Sequence, residues 1–568
     1  MAARRRKSVP VTPDPSWLRP ALLILMAIGL FGLFSPEITD TDFWWHLRTG
    51  QYVVQQRSLP VPDPFAWTTA NAPLAYPAEA SIRQFNLRHE WLAQTIYFLT
   101  WNIAGFAGIV ASRVFSMMLV CGLTGLMVWR RTSGSFYAAV AATLACASVL
   151  AGFALDRPFQ FTFLFLAATL AVMEFRRWLW ILPVIFVIWA NCHGGFFLGY
   201  LVLGAYGAEL LWRRKRDVTF WGVVLACVAA GLLNPNGLTI FRALRDYRSS
   251  YMTSRLLEWA PPLWWPPSAF SVLLVSAAGL MLWKARQVRV ADWLLLAAFG
   301  TAAATAQRNT GFVGIVAPIL IAGYWPSRWR IPAVGRILAP AVLAAGILIL
   351  AIGGHAFRLR AAEWRFPSGA ADFLSAHSIT QPMFNTWEHG GYLIWRLWPQ
   401  ERVFIDGRAL SERLFLDYAR ILYNHDNDDG QPSGEELLDR YGIQAIVMNT
   451  FEPATGNIYV LAPALADPAQ KTWKLVYQDA AALVFLRNPP PGMTVLNSLD
   501  VLSHMEAECA MHLEREPQHP RCARSVAGVF LKIGDNQRAR QWLGTYLAHA
   551  LEPDPEARQA YGALSNVR

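Results

Sequence analysis

Charge is what this chain has little of. Charged residues fill 16% of its 568 positions and hydrophobic ones 54%, whereas a soluble domain carries about 25% charged residues. That excludes an ordinary soluble enzyme and indicates a polytopic membrane protein. Cysteine is also scarce, at six, and no Cys or His spacing of the zinc-binding kind occurs. There is no phosphate-binding glycine-rich loop and no Gly-x-Ser-x-Gly, which removes P-loop chemistry and the nucleophile elbow. The formal charge of +11 does not point to nucleic acid, because most Arg and Lys before residue 340 lie in short clusters between apolar runs.

What the chain does have is a series of those runs. Candidate spans lie at 20–35, 104–129, 135–155, 158–174, 178–190, 194–212, 218–233, 268–283, 291–306, 311–325 and 335–353, to be set against the about 20 residues that cross a bilayer. Residues 91–103 either lengthen the second or lie at the interface. The first run follows Met1-Ala-Ala-Arg-Arg-Arg-Lys7 with no small-residue cleavage pattern after it, so it is expected to stay as an uncleaved span.

Alternate loops then receive every basic cluster: Arg4–Lys7, Arg130-Arg131, Arg176-Arg177, Arg213–Arg216, Lys284/Arg286/Arg289 and Arg328/Arg330/Arg336. The positive-inside rule makes that side cytoplasmic, with residues 1–19. The other side receives the long loop 36–90, Asp156-Arg157-Pro158, Asn191-Cys-His193-Gly-Gly, Asn234-Pro-Asn-Gly237, the loop to Pro267, Gln307-Arg308-Asn309 and everything from about residue 355. Residues 20–354 thus read as the membrane domain.

From 355 to 490 the composition is that of a soluble domain. Strand-like runs at Met383–Thr386, Arg402–Ile405, Ile443–Asn449, Trp473–Tyr477 and Ala481–Leu486 alternate with helix-like stretches at 368–377, 409–423 and 434–441, which predicts an external α/β domain. Pro489-Pro-Pro-Gly492 reads as a hinge. The remainder, 491–568, reads as one or two helical hairpins of the tetratricopeptide kind, suited to a protein partner. Cys509 and Cys522 would lie close together if 516–519 is the turn, and could pair in an oxidising compartment. Cys121, Cys146, Cys192 and Cys227 read as small apolar packing residues.

The chemically capable residues gather on the external face. Asp40-Thr-Asp42, just after the first span, could act as a general base with its support, and could share a divalent metal, Mn or Mg. Either aspartate could instead cap the helix begun by Phe43-Trp-Trp-His46. Trp44 and Trp45 suit interfacial anchoring or stacking on substrate. His89-Glu90 closes the same loop, Glu90 being a cap or a partner of Asp42. His46 and His193 are proton carriers, phosphate donors or structural histidines. Arg157 and Arg308, on the side that disfavours Arg, suit a lipid phosphate, with snorkelling as the alternative. Phe241–Arg248 reads as an interfacial helix. In the tail, Trp387-Glu388-His-Gly-Gly and Asp406-Gly-Arg408 follow strand-like runs, either as site residues at strand ends or as simple turns.

With this set of features the chain resembles the GT-C class of membrane glycosyltransferases, which includes protein O-mannosyltransferases and oligosaccharyltransferases. Thr39-Asp-Thr-Asp-Phe-Trp-Trp-His-Leu-Arg-Thr-Gly50, His89-Glu-Trp91, Arg157-Pro158, Asn191-Cys-His-Gly-Gly195, Asn234-Pro235 and Arg308-Asn309 resemble a bacterial group within that superfamily, over most of the chain to about residue 490. The resemblance implies sugar transfer from a polyprenyl-phosphate donor to an acceptor on the external face of the bacterial inner membrane. It puts the base or metal-holding role on Asp42 and Asp40; Glu90 is the third catalytic candidate, from its return to the same loop. His46, His89, Arg157, His193, Arg308, Trp387 and Glu388 are the candidates for substrate binding. Trp387-Glu-His-Gly-Gly-Tyr392 is similar to the Trp-Trp-Asp-Tyr-Gly element of oligosaccharyltransferases, but Thr386, Glu388 and His389 depart from it, so N-glycosylation is not expected. A transporter or flippase of lipid-linked sugars, and a non-catalytic assembly protein, are the alternatives.

Overall fold

The computed structural model describes residues 14–69, 72–246, 251–252, 257–325, 332–380, 382–427, 430–453, 455–517 and 520–565. The basic clusters Arg4–Lys7 and Arg328/Arg330, together with Arg248 and part of the 516–519 turn, lie outside the described residues.

The apolar runs form helices, which satisfy their own backbone groups as a hydrocarbon setting requires. They are α1 (Leu18–Phe34), α4 (Trp91–Arg131), α5 (Phe136–Leu150), α6 (Phe159–Phe175), α7 (Ile181–Cys192), α8 (Phe197–Trp212), α9 (Val218–Gly231), α11 (Ala269–Trp283), α12 (Val290–Thr305), α13 (Thr310–Tyr324) and α14 (Ala333–Ile352). Between them lie α2 (Phe43–Gln56) and α3 (Glu79–Arg88) in the loop 36–90, and α10 (Thr239–Asp246). By length and composition, four helical stretches among the described residues could cross a membrane: 79–131, 136–153, 194–212 and 334–352. Six further apolar helices are only 10–17 residues long. Helix α13 is buried on nearly every side and forms the centre of the bundle. Inside α4, Gly105 takes φ +60°, a left-handed conformation that glycine adopts without a Cβ clash. The break there separates residues 91–104 from the apolar run that follows.

The tail holds a four-stranded sheet in the order β1-β2-β4-β3, from β1 (Met383–Asn385), β2 (Ala445–Met448), β3 (Lys474–Gln478) and β4 (Leu483–Leu486). β1 pairs parallel with β2, Phe384 opposite Ile446, and the other pairs are antiparallel. Around it lie α15 (Ser368–Ala376), α16 (Trp387–Leu397), α17 (Glu412–Leu422), α18 (Gly434–Arg440) and α19 (Leu461–Ala466). Four helices follow: Asp500–Arg515, Arg521–Lys532, Asn536–His549 and Pro555–Ser565. A Cys509–Cys522 disulfide joins the first two, with a Cα–Cα distance of 5.6 Å.

Two sequence expectations fail here. Arg402–Ile405 is not a strand of the sheet, because Val403 pairs instead with Ala66 of the loop 36–90. Gly390-Gly391 is not a turn but lies within α16, which starts directly after β1.

The tail and the loop 36–90 are packed as one body. Val403 N donates to Phe65 O (3.1 Å), and Trp67 N donates to Val403 O (3.2 Å). Trp398 Nε1 donates to Pro64 O (3.1 Å), and Arg48 donates to Ile394 O (3.3 Å) and Trp395 O, capping the C-terminus of α16. Trp44 of α2 packs edge-on against Phe366 and Tyr392 of the tail.

Candidate functional site

The acid loop is anchored from below. Arg113, buried in α4, donates to Phe34 O (3.1 Å) and Pro36 O at the end of α1 and pairs with the buried Asp156. Four residues beyond Pro36, Asp40 Oδ1 accepts the N–H of Asp42 (2.9 Å) and its other oxygen binds Arg157 Nε. Asp42 stands at the N-cap position of α2, but its side chain makes no capping bond. Its Oδ2 faces Arg157 Nη1 at 3.1 Å. The capping alternative therefore fails for Asp42, and Asp40 serves the backbone of its neighbour only.

One guanidinium thus holds both acids, and the two acids differ. Burial pushes Asp40 up, but the charge and hydrogen bond of Arg157 outweigh it, and the carboxyl stays below the ordinary range. Asp42 is pushed up to about 6 by burial, which Arg157 offsets in part and the Asp40 charge reinforces. Neighbouring carboxyls with separated affinities are the pattern from which base and support can be assigned.

Arg157 also lies 3.8 Å from Glu258, and Glu258 binds Arg308 at 3.0 Å. Arg308 stacks over the rings of Phe159 and Trp259. Arg157, Glu258 and Arg308 line a cavity of about 450 Å³ together with apolar Val149, Phe153, Leu155 and Phe270 and polar Gln160, Gln307 and Thr310. Glu258 was invisible in the sequence, since the loop to Pro267 carries no motif around it.

A second group forms around Glu90. Its Oε1 lies 3.1 Å from His89 Nε2 and 3.8 Å from His193 Nε2, and its Oε2 lies 3.7 Å from His46 Nδ1. Nδ1 of His193 accepts the N–H of Gly195 (2.9 Å) and faces Thr162 Oγ1 (2.9 Å), so the proton of the neutral ring sits on Nε2, toward Glu90. His89 Nδ1 donates to Phe85 O (2.9 Å), which turns Nε2 to Glu90. Burial holds His46 down to about 4 and His193 to about 3 despite the carboxylate. Burial works against the Glu90 anion, yet His89 and the other two rings bring its carboxyl below the usual range. Phe159 touches both groups, edge-on to His193 and under Arg308.

Trp387 and Glu388 make their contacts elsewhere. Trp387 packs on Phe415, and Glu388 accepts from Tyr459 Oη (2.8 Å) with its second oxygen buried and unpartnered. Burial pushes Glu388 up to about 7. These two residues therefore belong to an aromatic cluster within the tail, and the structure does not join them to the acid pair. The helix at Thr239–Asp246 docks on α3, with Ser81 Oγ donating to Asp246 (2.8 Å).

What sequence reading missed is the tie between tail and loop. Arg408 donates to Asp63 (2.6 and 3.1 Å) and to Asp406 (2.7 and 2.6 Å), all three side chains being buried. Asp406-Gly-Arg408 stood out as a motif, but nothing marked Asp63 as its partner.

The acid pair does not fit a divalent metal in this arrangement. Asp40, Asp42 and Glu258 surround Arg157, whose guanidinium already occupies the place between them where a cation would sit. Among the described residues no group of three or more His, Cys, Asp or Glu is arranged to hold a metal ion.

No protein-family model matches the chain, and no curated protein matches it. Among solved structures, the oligosaccharyltransferase of Archaeoglobus fulgidus, tethered to an acceptor peptide containing the NVT sequon, is similar over 85% of this chain and 76% of that one. Identity is 10% and the TM-score 0.47, and a likeness at that level carries no inference about activity.

Proposed function

We propose that the protein is a membrane glycosyltransferase of the GT-C class, moving a sugar from a polyprenyl-phosphate donor to an acceptor on the external face of the bacterial inner membrane. The observation that carries this reading is a cavity lined by both apolar side chains and the guanidinium groups of Arg157 and Arg308, with Asp42 bound to the same Arg157. An amphiphile with a phosphate head fits such a site: the chain lies along the apolar wall and the phosphate meets the guanidinium of Arg308.

In the reaction, Asp42 accepts the proton of an acceptor hydroxyl as its oxygen bonds to the sugar C1. The C1–O bond to phosphate breaks, and polyprenyl phosphate leaves with the electron pair, its added charge held by Arg308. Arg157 keeps Asp40 ionised and fixes Asp42, so the cation of the acid site comes from the protein. Glu90 and its histidines line the neighbouring wall, where a proton or sugar hydroxyl could be held.

Transport is less well supported. A carrier needs polar groups near the midplane, and here charged residues collect at the two ends of the bundle. Arg131, Glu174, Asp292 and Arg289 form a network at one end, and Arg113, within a helix, reaches the other.

Purified protein given a panel of polyprenyl-phosphate sugars should release polyprenyl phosphate, and Asp42→Asn should not. Release that survives Asp42→Asn would refute the assignment. A comparison of glycans from cells with and without the protein would identify the acceptor.

A further inference from the structure

Two glycines of the tail lie directly against the acid loop. A methyl group added at Gly407 would stand 1.9 Å from Asp42 Oδ1, and one at Gly391 would stand 2.4 Å from the carbonyl oxygen of Thr41. Neither has the positive φ that reserves a position for glycine. Backbone conformation therefore does not demand glycine at either place; space does.

The two cases differ in what would have to yield. At Gly391 the obstacle is main chain, fixed between Asp40 and Asp42. At Gly407 it is the end of one side chain, which can turn, but only by leaving Arg157 Nη1, 3.1 Å from its other oxygen. A Cβ at 407 would be tolerated by the fold and paid for at the site.

We propose that Gly407 is a positioning residue for Asp42: by carrying no side chain, it leaves the carboxylate the room in which to face Arg157. The orientation of the acid is thus set by the external tail and not by the membrane domain alone. The turn that carries Gly407 is fixed on both sides. Asp406 Oδ1 accepts the N–H of Arg408 (2.9 Å), and Asn86 Nδ2 of the loop donates to Arg408 O (3.0 Å). The buried Arg408 then ties the turn to Asp63, and Gly390 gives the turn its own close seat, since a Cβ there would lie 2.1 Å from Ile405 O. That Asp42 acts as a base rests on the transfer reaction proposed above; its placement by Gly407 does not.

The test needs no substrate. Full-length protein in detergent is treated near neutral pH with a water-soluble carbodiimide and glycinamide, and modification of each carboxyl is read by peptide mass spectrometry. In Gly407→Ala, Asp42 loses its guanidinium or swings into the cavity. Either change makes it more reactive, through a larger protonated share or through access, and its modification should rise by about threefold or more, a unit of pKa being about tenfold in that share. Asp40, which keeps Arg157 Nε, should react as in the native protein. Unchanged labelling of Asp42 would overturn the proposal, and so would a parallel rise at Asp40, which marks general opening. Should Gly407→Ala alone fail to fold, the double variant Asp42→Ala/Gly407→Ala must fold, because the obstructing oxygen is gone. Failure of the double variant as well would place the role of Gly407 elsewhere. A negative transfer assay leaves all these readouts standing.

Discussion

Replacing Arg408 by Met keeps an unbranched apolar stem and removes the guanidinium, which also stacks over the Phe65 ring. What remains is informative. Asp63 and Asp406 are each exposed by 3% or less at the side chain and would then face one another without the charge that both now share. Removing one partner of a buried ion pair costs about 3–5 kcal/mol, because the other charge stays buried. Asp63 keeps the N–H groups of Phe65 (3.0 Å) and Ala66 (3.4 Å) and the Thr69 hydroxyl, and Asp406 keeps the N–H of Arg408, so the lower half of that range is expected. Thermal unfolding of the detergent-solubilised protein, followed by limited proteolysis across residues 60–69, would measure it. Asp63→Asn added to Arg408→Met should recover part of the loss. A loss below about 1 kcal/mol, the size of a solvated surface pair, would show that water reaches the triad and that the tail is not held to the loop through it.

Three further outcomes are expected. Asp42→Asn should lower turnover by about 100-fold or more, and because the base must be ionised, native kcat/KM should rise with pH through about 6 and level off above it; a profile flat across that window refutes Asp42 as the titrating group. Arg308→Gln should weaken donor binding by about 1.5–3 kcal/mol, the worth of a charged hydrogen bond, seen as a rise in donor KM that Glu258→Gln does not reproduce. Glu388 ordinarily titrates at 4.5 and is raised to about 7 by burial, so the folded protein holds a proton that the unfolded chain has lost. Its contribution to stability is therefore complete below 4.5 and is lost as pH rises through 7, and Glu388→Gln should remove that part of the pH dependence of the melting midpoint.

How much of this was legible depended on the distance over which each feature acts. The apolar runs and the Asp40-x-Asp42 motif are local, and they could be read directly. Helix Trp387–Leu397 was not legible, because Gly390-Gly391 looks like turn chemistry when only neighbours are considered. Those glycines answer to carbonyl groups on other segments, Ile405 O and Thr41 O. Arg402–Ile405 has the residues of a strand and pairs as one, but with Ala66, more than three hundred positions earlier. Glu258 and Asp63 belong to ion pairs that close over 50 to 345 positions, where no spacing rule operates.

The metal expectation shows the same limit from another direction. Two acids one residue apart are the usual material of a cation site, and the sequence could not say which cation. The fold answers with Arg157, 115 positions beyond Asp42 by their numbering, placed among Asp40, Asp42 and Glu258. A guanidinium differs from a metal ion in what it does to its ligands. It donates hydrogen bonds along fixed directions, so it can take Asp40 fully and leave Asp42 only half engaged. That inequality separates the two carboxyls, one below the ordinary range and one near 6. A metal shared evenly by both would lower the two together and leave neither ready to take a proton. In the proposed reaction, the acid that Arg157 holds less firmly, in the space Gly407 leaves open, is the one that works as the base.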